Sequence, residues 1–247
     1  MNFSLPRPDC PLCPRLCVFR EQNQQDYPTF FNAPVPSFGD INAEFLVVGL
    51  APGLQGANAT GRPFTGDYAG DILYASLLKN DFATGSYTSP RGAAISGVYK
   101  DNLTLKNCRI TNAVRCVPPE NKPEPSEIKQ CNNFLKNEIA AMPRLKIILS
   151  LGLVSHNAAL MAFGLKASYA KFAHGAVHSL VPPPAGGRLG GGHVETLTVQ
   201  RPLPNSPPNG EGIRLLNSYH CSRYNINTGR LTQAMFDEVI KQVRDLI

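Results

Sequence analysis

The chain has 247 residues, 43 % of them hydrophobic, enough for one large α/β domain or two small ones with a sizeable core. No apolar run reaches the roughly 18–20 residues of a membrane span, and the N-terminus lacks the apolar stretch of a secretory signal, so a soluble cytoplasmic protein is expected. The formal net charge of +6 points to a polyanionic partner, most simply nucleic acid, the plainer alternative being a mildly basic enzyme.

Along the chain, the first chemical feature is Cys10-Pro-Leu-Cys13, with Cys17 just beyond it. An apolar run over 45–50 then reads as a buried strand, and it opens into GLAPGLQGANATGRPFTGDYAG, from Gly49 to Gly70. This loop lacks the terminal Gly-Lys-Ser/Thr of a phosphate-binding loop and is not a dinucleotide fingerprint. Its one phenylalanine, Phe64, stands between Pro63 and Thr65-Gly66, where a stiff backbone can present the ring to a flat ligand; the alternative is a core side chain. A helix follows over 67–79. The next strand, over 108–114, carries Asn112 near its end, whose amide can both donate to and accept from a base edge.

Cys116 follows that strand, and the Pro-rich segment VPPENKPEP leads to a helix over 126–140 with Ser126 as the expected N-cap and Cys131 inside it. A CxxC with two further cysteines in a distant segment suits tetrahedral zinc or an iron–sulfur cluster; alternatively Cys116 and Cys131 pack as small apolar residues. The total of seven cysteines is odd, and disulfides are not expected without an export signal. A strand over 145–151 and a helix over 153–163 come next. An insertion at about 182–211, rich in Gly and Pro, reads as a loop or hairpin in which HVETLTVQ forms one strand. The last strand, 213–218, ends at His220 and the polar loop Ser222, Arg223, Tyr224, Asn225, before a final helix over 231–247.

Strands alternating with helices imply an α/β fold: a three-layer α/β/α sandwich, one domain over 1–247, around a central, mainly parallel four-stranded sheet. Ligands of such sheets bind beyond the carboxyl ends of the strands, and the loops after Leu50, around Asn112 and after Ser218 converge there.

Together GLAPGLQGANATGRPFTGD, ITNAVRC and YHCSRYNINTGRLT resemble the uracil-DNA glycosylase superfamily, and within it the iron–sulfur-bearing family five, or B type, from Cys10 to the final helix. The resemblance implies a [4Fe-4S] cluster on Cys10, Cys13, Cys116 and Cys131, with Cys17 outside the pattern. It implies that double-stranded DNA containing uracil or other deaminated bases is the partner, and that the base is extruded because its glycosidic bond is inaccessible in the duplex. Phe64 is then the ring that stacks on the base, Gly49, Ala51 and Gly53 belong to the backbone that closes around it, and Asn112 contacts its edge. His220 stabilises the charge on the departing base. Ser222, Arg223, Tyr224 and Asn225 form the loop that meets the DNA. Where other branches carry Asp, Asn or Glu to position the attacking water, this chain has Ala51. That makes Asp67, or Asn58, the nearest candidate for water or the sugar cation. Cys221 stands where proline is common. No lysine in the motif loops offers a Schiff-base nucleophile, so base release without strand cleavage is expected. Two other classes compete: a metal-stapled protein that binds damaged DNA without cutting it, and an electron carrier, for which the third motif has no use.

Overall fold

The computed structural model describes residues 5–90, 99–180 and 212–247. Its centre is a sheet of six strands: β1 (Phe38–Gly39), β2 (Phe45–Gly49), β3 (Cys108–Asn112), β4 (Ile147–Leu151), β5 (Val177–Leu180) and β6 (Ile213–Ser218). In space they run β1-β3-β2-β4-β6-β5. The four inner strands are parallel, and the two edge strands are antiparallel to their neighbours. The expected sheet of four strands is therefore the inner part of one of six. The edge strands escape a reading by apolar runs because they are short and only partly covered.

Both faces of the inner sheet are packed with helices, which is why β2, β3 and β4 are buried at every residue. Phe45 and Val47 of β2 point into a core shared with α2 (Tyr68–Lys79) and α5 (Gln233–Leu246), beside Leu73, Leu77, Phe236 and Ile240. Leu46 and Val48 point the other way, into a core built with α3 (Pro125–Ala141) and α4 (Leu153–Ala162), beside Leu135, Ile139 and Leu160. Each fully buried aliphatic side chain contributes about 1.5–3 kcal/mol.

Helix starts are set by local chemistry. Asp67 caps α2, its Oδ1 accepting from the Gly70 N–H at 3.0 Å. The cap of α3 is Glu124 rather than Ser126: Pro125 takes the first helical position, where its missing N–H costs nothing, and Glu127 reaches back to accept from the Glu124 N–H at 2.7 Å. A further helix, α1 (Pro14–Asp26), lies ahead of the sheet. Glu138 of α3 is fully buried and binds Arg109 Nε at 2.6 Å and Arg115 Nη2 at 2.5 Å, fastening α3 to β3. Burial pulls its pKa up, but the two guanidiniums hold the carboxyl below its ordinary range.

Among the described residues no helix is long and apolar enough to cross a membrane. The insertion at 182–211, with the strand expected in it, lies outside the described residues.

Candidate active site

The parallel register brings Gly49 of β2 level with Asn112 of β3, and Leu151 of β4 level with Ser218 of β6. The three motif loops therefore leave the sheet at one end. Between them lies a cleft of about 790 Å³ lined by Ala51, Gly53, Asp67, His220, Ser222 and Arg223, together with Gln55, Tyr68 and Asn121. Leu50, Leu54 and Ala69 line it too, so the wall is largely apolar with a few polar groups set in it, as suits a flat ligand with polar edges.

Phe64, Gly49 and Asn112, buried at the carboxyl ends of β2 and β3 and outside the lining of the cleft, form a tight knot. A Cβ on Gly49 would stand 2.3 Å from Asn112 Oδ1 and 2.5 Å from Phe64 Cζ, so the missing side chain is what lets ring and amide meet over the backbone. Phe64 is 6 % exposed, and its ring centroid lies 6.1 Å from that of His220 at an interplanar angle of 27°. The ring is thus both a core residue and a face turned to the imidazole. Phe64 also has φ of 56°, the left-handed region that a bulky residue enters only when its surroundings impose it.

His220 stands at the cleft wall beyond β6. Burial pushes its pKa down to about 4, so the imidazole is neutral near pH 7 and offers one N–H as a donor. Its carbonyl accepts from Asn225 Nδ2 at 2.8 Å. Ser222 caps the short helix Arg223–Asn227, its Oγ accepting from the Asn225 N–H at 3.4 Å. Asn225 is accordingly a brace for the histidine loop. Arg223 lies over the ring of Tyr68, with Cζ 5.8 Å from its centroid, and Tyr224 is 71 % exposed beside the cleft rim.

Asp67 faces the cleft from the start of α2, with Oδ2 at 3.6 Å from the position of a Cβ on Gly53. Asn58 is in a different place. It is buried, its Nδ2 donates to Asn32 Oδ1 at 2.8 Å, and it does not line the cleft. The structure brings Asp67, but not Asn58, together with His220. Gln55 and Asn121 are cleft residues that motif reading passed over. Asn121 sits in the loop after Cys116, where Glu120 and Asn121 both have positive φ, a turn the Pro-rich sequence signals without showing its direction.

Cys10, Cys13, Cys116 and Cys131 line one cavity, with Cys17, Arg20 and Phe134. The Cys17 thiol donates to the Cys10 carbonyl at 3.2 Å, which sets it apart from the other four. Arg20, nearly buried, donates to the same carbonyl at 3.2 Å and stands 4.0 Å from Cys116 Sγ. The Arg115 N–H points at Cys131 Sγ at 3.3 Å. Burial first, and then the neighbouring thiols, push Cys13 up to about 11 and Cys116 up to about 12. Among the described residues no three His, Cys, Asp or Glu side chains converge closely enough to hold a single metal ion.

The chain is similar to known proteins along most of its length. The family model described as the uracil DNA glycosylase superfamily matches residues 36–244. The type-5 uracil-DNA glycosylase of Thermus thermophilus is 37 % identical over 242 residues, covering 96 % of this chain and 93 % of its own. That of Pyrobaculum aerophilum is 32 % identical over 238 residues, with 95 % and 87 % covered. A type-4 uracil-DNA glycosylase of Pyrobaculum aerophilum is 30 % identical over 169 residues, covering 68 % of this chain and 70 % of its own. With a cleft at the carboxyl ends of the strands, a glycine-seated phenylalanine facing a neutral histidine, and this match along its length, the chain belongs to the uracil DNA glycosylase superfamily.

Proposed function

We propose that this uracil-DNA glycosylase takes an extruded base into the space bounded by Phe64, Asn112 and His220. The base stacks on Phe64, and the Asn112 amide meets its edge. The neutral His220 N–H donates to a base carbonyl as the glycosidic bond opens. The electron pair of that bond leaves with the base, and the hydrogen bond stabilises the anion that forms. The sugar is left as an oxocarbenium-like cation. The Asp67 carboxylate supports it electrostatically, water captures it and its released proton neutralises the departed base anion, and an abasic site remains. Ala51 offers no group to activate water, so the barrier falls mainly through the leaving group. A mechanism of this kind extends to other bases that leave well, hypoxanthine and modified uracils among them. Ser222, Arg223 and Tyr224 meet the duplex at the rim.

The carrying observation is the pairing of Phe64 with His220, 6.1 Å apart and nearly parallel. Base release from labelled duplexes containing uracil, hypoxanthine or hydroxymethyluracil tests it, with the wild type and His220→Ala side by side. Release of all three bases, slowed at least a hundredfold in the variant with DNA binding retained, is the expected result. Unchanged release by the variant removes His220 from the chemistry, and release of uracil alone removes the broad range.

The cysteine cavity supports a [4Fe-4S] cluster on Cys10, Cys13, Cys116 and Cys131. Four thiols spread around one cavity fit a group wider than a single ion, and Arg20 and the Arg115 N–H supply the positive charge and the sulfur-directed donor that such a cluster favours. Bound there, the cluster is a staple between the N-terminal segment and the loops beside the cleft.

A further inference from the structure

Phe64 is held at a φ of 56°, a backbone conformation that phenylalanine avoids. What holds it lies beneath the loop. The Tyr74 hydroxyl, fully buried on α2, donates to the Pro63 carbonyl at 2.7 Å. Gly70, one turn earlier, lies against the Phe64 carbonyl, where an added Cβ would stand only 1.8 Å from the oxygen. Thr65 Oγ1 donates to the Arg62 carbonyl at 2.7 Å and lies 2.5 Å from Thr60 Oγ1, closing the turn on itself.

Arg62 anchors the other side. Its guanidinium pairs with both oxygens of Asp101, at 2.7 and 3.0 Å, and the two side chains are 6 % and 7 % exposed. Four rings surround it: Phe38 at 4.7 Å, Tyr74 at 5.1 Å, Tyr99 at 5.2 Å and Tyr87 at 6.0 Å. A buried arginine held by a two-pronged ion pair and ringed by aromatics is a rigid post, and the tyrosine that grips Pro63 leans on it. Neither residue lines the cleft.

We propose that Tyr74 is a positioning residue for the stacking phenylalanine, holding the Pro63 carbonyl so that Phe64 keeps its left-handed backbone and turns its ring toward His220, with Arg62 as the post that fixes Tyr74. This rests on the base-stacking reading of Phe64. The strain stored at Phe64 is then part of the site's preorganisation, and its cost is met by contacts that never touch DNA.

The test is a double-mutant cycle on single-turnover excision of uracil from duplex DNA, using Tyr74→Phe, Phe64→Ala and the pair. Tyr74→Phe removes one hydroxyl from an otherwise unchanged ring. It is expected to slow excision roughly three- to tenfold, the scale of one lost hydrogen bond, in the wild-type background. With Phe64→Ala already present, it is expected to have no further effect on rate, while any change in melting temperature persists in both backgrounds. A tyrosine with only a structural role slows both backgrounds equally, and that result overturns the proposal, as does a Tyr74→Phe protein that excises at the wild-type rate while Phe64→Ala is slow. Full activity of Phe64→Ala overturns the stacking reading and this inference with it. Arg62→Lys keeps the charge and loses the two-pronged grip on Asp101, and it should show the same dependence on Phe64.

Discussion

Gly49 has no room for a methyl group. An alanine there places its Cβ at 2.3 Å from Asn112 Oδ1 and 2.5 Å from Phe64 Cζ, so ring and amide must both move away from the spot where they meet. Gly49→Ala is expected to fold with a loss of about 1–3 kcal/mol, as overpacked sites do, and to lose at least tenfold in excision rate. Urea denaturation and single-turnover kinetics on the same protein check it; a variant as active as the wild type means that the knot is not where the base goes. His220 yields a prediction with a defined sign. Its pKa is about 4 when folded and about 6.5 when unfolded, so between those values the unfolded chain binds the extra proton. Stability from this group is full above about pH 6.5 and falls as the pH drops toward 4. At pH 4.5 the wild type should have lost roughly 2 kcal/mol more, relative to pH 7, than His220→Gln has lost. Parallel pH-dependent melting curves for the two proteins contradict the lowered pKa of His220.

At the scale of elements, the sheet's inner strands were readable because burial on both faces fills them with apolar residues. β2 and β4 carry Val, Ile and Leu almost without interruption, β6 keeps Ile213, Leu215 and Leu216 among polar residues, and the helices between them show their apolar spacing. β1 and β5 were not readable, since two residues of intermediate exposure and a Val-His-Ser-Leu edge carry no such pattern. α1 was hidden for another reason: its buried residues are Leu16, Arg20 and Asn23, so the face it turns inward is largely polar. The motif residues of the site were legible as short strings after strands, whereas the displacement of Asn58 to Asn32 and the role of Asn225 as a brace depend on loop paths that no local pattern encodes. Glu138 belongs to this scale because it joins two elements. Glu138→Gln keeps the shape and takes from Arg109 and Arg115 the buried carboxylate that they share. A loss of about 3–5 kcal/mol is expected in chemical denaturation, and a loss below about 1 kcal/mol means that the arginines find other partners.

Across the whole molecule, the N-terminal segment and the cleft are linked through the cysteine cavity. Cys10 and Cys13 precede α1, Cys131 lies in α3, and Cys116 begins the loop that carries Asn121 into the cleft. Protein contacts already tie these parts together: Arg15 of α1 grips Glu127 of α3 at 2.8 and 2.9 Å, and Asn32 grips Asn58. The proposed cluster would add a closure across a long stretch of chain, restricting the unfolded ensemble and holding the loop from Cys116 to Asn121 in its turn. Removing it with a chelator under reducing conditions, or replacing Cys131 with serine, should therefore act in two places at once. Visible absorption typical of iron–sulfur proteins should disappear, and amide exchange should quicken in α1 and in residues 116–122 while β2 and β4, buried on both faces, stay protected. Excision should fall in step with the loosening of residues 116–122, because Asn121 of that stretch lines the cleft. Exchange that quickens uniformly across the sheet means instead that the cavity supports global folding alone, and a protein that never shows the absorption has no cluster to remove.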